Sequence, residues 1–263
     1  MKFTSLSSGS SGNSLLIETN KTRILVDAGF TGKRLEALIK DAGVLPETID
    51  AILVTHEHND HIKGAGVMSR RFNIPIIANE ETWIAMIKKI GPIKDNNILV
   101  FKNDYDFTLR DLDIHPFSTF HDAANSCGFA INHGKKKISI MTDTGTVNER
   151  IKRQLLGSDV LFIESNHDPI MLMNGPYIPA LKRRVASTRG HLSNLDCAYT
   201  LEEVLSGNGE KVILAHLSGE NNTAEIAYNT VSDHLIDLGL DINRDISLTV
   251  ADRNGVSNRI DIK

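Results

Sequence analysis

Within six residues the sequence places His56, His58, Asp60 and His61, separated only by Glu57 and Asn59. Imidazole nitrogens combined with carboxylate oxygens suit zinc, iron or manganese, whereas calcium and magnesium favour oxygen-only sets. Histidines two positions apart cannot face the same way on a helix, but on an extended loop they can. His56 and His58 can therefore grip one ion. Asp60 and His61 come slightly later, where the chain turns, and can grip a second. The competing reading is a solvated polar loop rich in histidine. The spacing argues against it, because three histidines this close have a recognised use as metal ligands.

A metal site needs a rigid base, and the chain supplies one. Short apolar, β-branched runs occur at residues 23–26, 51–54, 138–141, 160–163 and 212–215, each bounded by polar residues. They have the length and composition of strands buried on both faces. Just beyond these runs stand Asp27, His56, Asp143, Glu164 and His216, all able to bind or orient a metal. In open α/β sheets, sites collect where strands end and loops emerge, so these ends point to one convergent site.

Amphipathic spacing predicts helices over residues 32–42, 62–72, 80–90, 147–155, 194–205 and 223–238. Residues 98–131 read as further strands, with turns at Asn103-Asp104 and Arg110-Asp111. The stretch Ser7-Ser8-Gly9-Ser10-Ser11-Gly12 could pass for a flexible linker. Apolar segments flank it closely, so it reads instead as a tight glycine loop between two strands. No linker or repeat divides the chain, and a single α/β domain over residues 1–263 is expected.

Thr55-His56-Glu57-His58-Asn59-Asp60-His61 resembles the Thr-His-x-His-x-Asp-His signature of the metallo-β-lactamase superfamily. Asp27, His121, Asp143 and His216 match the remaining members of that pattern, in order. Phe120-His121-Asp122-Ala123, Thr142-Asp143-Thr144-Gly145 and Glu164-Ser165-Asn166-His167-Asp168 resemble the YycJ-like (WalJ) branch, which is related to tRNase Z and the β-CASP nucleases. Gly190-His191-Leu192-Ser193 is similar to the Gly-His-Ser-Thr element of tRNase Z. The inserted domain by which β-CASP nucleases clamp RNA has no counterpart here.

The resemblance implies a four-layer αβ/βα sandwich, with two β-sheets face to face and helices outside. It implies two divalent ions, zinc or manganese with iron as a further option. His56, His58 and His121 would hold one, Asp60, His61 and His216 the other, and Asp143 would bridge them. Antibiotic-hydrolysing members commonly carry cysteine where Asp143 falls, which disfavours a β-lactamase. Asp27 is expected to orient a ligand histidine, since such rings usually donate their free N–H to a carboxylate. Asp60, Glu164 and His191 are the catalytic candidates. A protonated His191, aimed by Glu164, could donate to the leaving oxygen. His167, Arg189, Ser193 and Asn194 are candidates for substrate binding, with Ser193 or Asn194 also able to cap the next helix. Lys182-Arg183-Arg184 leads into this region and could meet phosphates. His115, His133 and His234 are read as structural or solvated, and Cys127 and Cys197 as buried small hydrophobes.

Composition narrows the setting. Twenty-nine basic against 33 acidic residues give a net charge of −4, which argues against a surface coated for bulk nucleic-acid binding. It leaves room for a local track beside a metal site, where the ions carry positive charge. Two cysteines make no disulfide framework, and no signal peptide or membrane-spanning run is seen, so a cytoplasmic protein is expected. The expected activity is phosphodiester hydrolysis by a metal-bridging hydroxide. The substrate would be a single strand or 5′ end of DNA, degraded 5′ to 3′, with a role in repair, and no obligate protein partner is inferred. The rivals are a thioester hydrolase like glyoxalase II, an RNA-directed nuclease, and a binding module on a dead scaffold.

Overall fold

A computed structural model describes all 263 residues. Two seven-stranded sheets dominate it. The first contains β1 (Lys2–Ser7), β2 (Ser14–Glu18), β3 (Arg23–Val26), β4 (Ala51–Leu53), β5 (Ile76–Asn79) and β6 (Ile98–Phe101) in sequential order. The second runs β7 (Phe107–Leu109), β8 (Leu112–Ser118), β9 (Cys127–His133), β10 (Lys136–Met141), β11 (Val160–Glu164), β12 (Glu210–Ala215) and β13 (Ile246–Val250). A last strand, β14 (Ser257–Asp261), returns to the first sheet beside β1.

Side-chain alternation explains the layering. In β2 to β4, Leu15, Ile17, Ile24, Val26, Ala51 and Leu53 face one way, while Leu16, Leu25 and Ile52 face the other. The first set meets Ile138, Ile140, Val160, Phe162, Ile213 and Ala215 of the second sheet in a shared inner core. Strands apolar on both faces must be covered on both. The outer face of the first sheet packs on α1 (Gly32–Asp41) and, after the single turn α2 (Asn59–Ile62), on α3 (Ala65–Phe72) and α4 (Glu80–Ile90). The outer face of the second packs on α5 (Glu149–Leu155) and, after α6 (Pro169–Asn174) and α7 (Pro179–Val185), on α8 (Asn194–Val204) and α9 (Ala224–Asp237). The result is the four-layer α/β sandwich expected from the sequence. Truncating a fully buried inner residue such as Phe162 would cost about 3–5 kcal/mol.

Three features depart from the sequence reading. Residues 62–72 do not form one helix, because the chain breaks at Lys63-Gly64 between α2 and α3. A Cβ at Gly64 would lie 2.3 Å from the Phe30 carbonyl, so only glycine admits this close crossing. The short helices α6 and α7 were not anticipated, nor were strands β5, β13 and β14. The glycine loop between β1 and β2 is present as expected.

Candidate active site

The strand ends converge on one face. β4 delivers Thr55 and His56, an extended segment carries His58, and α2 turns Asp60 and His61 inward. The loop after β8 brings His121, the end of β10 brings Asp143, β11 ends on Glu164, and β12 is followed by His216. Asp27, Asp143 and His216 each adopt a left-handed backbone, with φ of 63°, 57° and 54°. Few non-glycine residues do so, and each such residue costs on the order of 1–3 kcal/mol. At three strand ends, that strain turns a polar side chain back over the sheet instead of onward along the loop.

Four overlapping ligand-type groups result: His56, His58 and His121; Asp60, His61 and His216; and two that contain Asp143, one with His56 and His61 and one with Glu164, His191 and His216. In the first, His58 Nδ1 lies 3.0 Å from His56 Nε2 and 3.2 Å from His121 Nε2. In the second, Asp60, His61 and His216 converge: His61 Nε2 is 3.4 Å and His216 Nε2 3.6 Å from Asp60 Oδ2. Asp143 stands between them, with Oδ2 3.2 Å from His61 Nε2 and Oδ1 3.6 Å from His121 Nε2.

The outward nitrogens show which lone pairs are free. His61 Nδ1 is 2.7 Å from Asp27 Oδ2, and His216 Nδ1 is 2.8 Å from Glu164 Oε1. His121 Nδ1 donates to the Gly190 carbonyl at 3.0 Å. The Thr55 hydroxyl donates its one proton to Asp27 Oδ2, so at 3.0 Å it accepts from His56 Nδ1. Each of these four rings therefore turns an Nε2 lone pair inward, held by an acceptor behind it, as metal-binding histidines are. His216 Nε2 and Asp143 Oδ2 are buried and have no hydrogen-bond partner. Buried polar atoms are rarely left so, and a shared cation is the partner that fits this donor set.

Burial pushes His56, His58, His61 and His216 toward neutrality, and neighbouring charges decide the outcome. His56 and His58 are lowered, by burial first and then by neighbouring imidazoles. His61 is raised despite burial, by Asp143 and Asp27, and His216 is raised to about 10 by Asp143, Asp60 and Glu164. Burial works against ionising Glu164 too, yet charge and hydrogen bonds from His191 and His216 hold it down to about 2. Glu164 Oε2 also accepts from the Thr144 and Leu192 amides at 3.0 and 3.1 Å. Its Oε1 lies 2.9 Å from His191 Nδ1, and the carboxylate raises His191 against burial.

The remaining sequence-predicted residues divide. His167 is buried near Glu164 and His191, with Nδ1 unpartnered. Ser193 caps α8 by accepting from the Asp196 amide. Asn194 corrects the sequence reading: it is fully buried and binds Ser165 and Asn222, so it ties loops together and cannot reach a substrate. Arg189 grips the His121 carbonyl through Nε and Nη2, at 3.2 and 2.9 Å. Lys182 binds the Met173 carbonyl, and Arg184 makes a two-pronged ion pair with Asp122. Arg184 and Arg189 thus strap the chain around α7 to the His121 loop, and Lys182 joins α7 to α6, instead of lying open to phosphate. His115, His133 and His234 pair with Asp106, Asp111 and Glu202, and both cysteines are buried and free.

Sequence reasoning missed several supports. Asn13 Nδ2 reaches within 3.2 Å of His61 Nε2, and Ser8 Oγ accepts from the His216 amide at 3.0 Å. The glycine loop is therefore part of the site wall. Gly29 is needed because a Cβ there would fall 1.7 Å from the Asp60 carbonyl. The serine and asparagine content of that loop was the one available signal.

Fold and ligand geometry together define a metal-binding hydrolase scaffold, and the comparisons with known proteins agree. The metallo-beta-lactamase superfamily model matches residues 8–216, and the chain belongs to that superfamily. Within it, the chain falls in the YycJ/WalJ branch. It is 40% identical over 242 residues to exodeoxyribonuclease YycJ of Bacillus anthracis, covering 92% of both chains. It is also 40% identical over 246 residues to exodeoxyribonuclease WalJ of Streptococcus pneumoniae, covering 92% of this chain and 91% of that one. The short form of human tRNase Z shares the fold, with a TM-score of 0.65 at 17% identity over 98% of this chain and 99% of that one. No helix is long and apolar enough to cross a membrane.

Proposed function

We propose that this chain is a metal-dependent exodeoxyribonuclease that shortens DNA strands from the 5′ end, with a role in repair. The observation that carries the reading is the pairing of Glu164 with His191 beside Asp143, whose two oxygens lie near His61 of one ligand group and His121 of the other. Likeness to two exodeoxyribonucleases over nearly the whole chain supports the choice of substrate.

In this reading His56, His58 and His121 would hold one ion, Asp60, His61 and His216 would hold a second, and Asp143 would be shared by both. Zinc or manganese suits the mixed nitrogen and carboxylate set, with iron also compatible. Two such ions supply an acidified water near neutral pH and positive charge for the scissile phosphate. The chain's own residues do the rest. Asp27, Thr55, Glu164 and the Gly190 carbonyl fix the ring orientations from behind. His191, held through Nδ1 by Glu164, presents Nε2 and gives its proton to the departing sugar oxygen as the phosphorus–oxygen bond breaks. His167 lines the same corner and contacts the strand.

The reaction class is tested by comparing turnover of bis(4-nitrophenyl) phosphate with that of a glutathione thioester by the manganese- and zinc-loaded protein. Phosphodiester hydrolysis with no thioester turnover is expected, and the reverse preference would overturn the reading. Running DNA and RNA strands of one sequence side by side then separates DNA from RNA as substrate.

A further inference from the structure

Beside the metal-ligand cluster, and not part of it, lies a cavity of about 300 Å³. That volume sits at the lower end of small-ligand pockets. Its position is set by two loops of the site. Phe120 on its wall immediately precedes His121, and Asn148 on its rim is in the loop that follows Asp143. The two loops are joined where the Gly145 amide donates to the Phe120 carbonyl at 2.9 Å. The cavity therefore opens one residue from His121 and five from Asp143 along the chain.

Its lining is unusual for surface space. Phe117 is buried and forms an apolar floor, whereas the Phe120 ring is 38% exposed despite its size. Gln154 presents a polar edge, Asp104 accepts from the Ser118 amide and hydroxyl at 3.3 and 3.0 Å, and His115 is held by Asp106 at 2.6 Å. Arg150 is exposed and its guanidinium makes no ion pair or hydrogen bond, unlike Arg184 and Arg189. An open aromatic face, polar edges of both hydrogen-bonding senses and one free guanidinium suit a flat, polar, uncharged ring attached to a phosphate. They do not suit a lipid or a bare anion, because Asp104 repels the latter.

We propose that this cavity receives a nucleobase of the strand, stacked on Phe120 and edge-bonded near Asp104 and Gln154, with Arg150 on a neighbouring phosphate. The proposal rests on the nuclease reading and adds to it a base-binding subsite. Stacking tolerates any base, because every base offers a π face, so the subsite supplies grip without sequence preference. It also gives the protein a means of holding a strand despite its net charge of −4.

The test uses the metal-loaded full chain, with calorimetric binding of deoxyadenosine 5′-monophosphate and of deoxyribose 5-phosphate, which lacks the base. The nucleotide is expected to bind roughly 5- to 150-fold more tightly than the sugar phosphate. Phe120→Ala should remove that advantage, Phe120→Tyr should keep it, and Arg150→Met should weaken both ligands. Equal binding of the two ligands, no detectable nucleotide binding, or an undiminished advantage in Phe120→Ala would overturn the subsite. Strand digestion is followed in parallel. Digestion with no base advantage defeats the subsite alone, whereas a Phe120-dependent base advantage without digestion defeats the nuclease reading alone.

Discussion

Glu164 holds His191 through Nδ1 at 2.9 Å, and the Nε2 of that ring has no protein partner. A histidine so aimed can deliver a proton without binding an ion. His191→Ala is accordingly expected to keep the metal content of the parent while slowing turnover about 10²- to 10⁴-fold. Metal analysis and single-turnover rates on the same preparation check this. Loss of metal in that variant would make His191 a ligand.

Asp143 differs, because its two oxygens face the two ligand groups. Asp143→Ala should lose metal and activity together, and Asp143→Asn should restore neither in full, since the amide offers one acceptor oxygen. Metal titration of the three proteins followed by inductively coupled plasma analysis reads the outcome.

His216 is raised from 6.5 to about 10, so near neutral pH its ring is charged in the metal-free fold, and His61 is shifted in the same direction. Binding a cation must displace a proton from His216, and metal affinity should therefore climb as pH rises through neutrality. The sign is reversed for stability of the metal-free fold. The contribution of His216 is complete below 6.5 and is lost as pH rises through about 10. Calorimetric metal titration at pH 7 in buffers of different protonation enthalpy should show proton release, and a buffer-independent heat would contradict it.

Asn194 binds Ser165 and Asn222 in a fully buried network. Asn194→Ala leaves those partners unsatisfied and should lower stability by about 1–3 kcal/mol, with the KM for a strand unchanged. Denaturant unfolding alongside steady-state kinetics separates this from a substrate contact, which would raise KM.

Much of the architecture was legible because strands such as residues 160–163 are apolar on both faces, and only a covered sheet accommodates that. The convergence of Asp27, His56, Asp143 and His216 on one face was legible for the same reason, since each lies one or two residues beyond such a run. Strand β14 was not, because Ser257–Asp261 is mostly polar, has no fully buried residue and forms by pairing with β1. The role of Arg184 was hidden too: a basic run looks the same whether it faces phosphate or, as here, Asp122, 62 positions away. The left-handed turns at Asp143 and His216 have no sequence signal, because they are imposed by the site and not by the residues' own preferences.

The most direct test of the proposed function is digestion of single DNA strands carrying a 5′ phosphate and a 3′ label, with manganese. The prediction is progressive shortening of the labelled strand from its 5′ end, stopped by a chelator and restored by fresh metal. Labelled products arising only from internal cuts, or no turnover with any divalent ion, would contradict it.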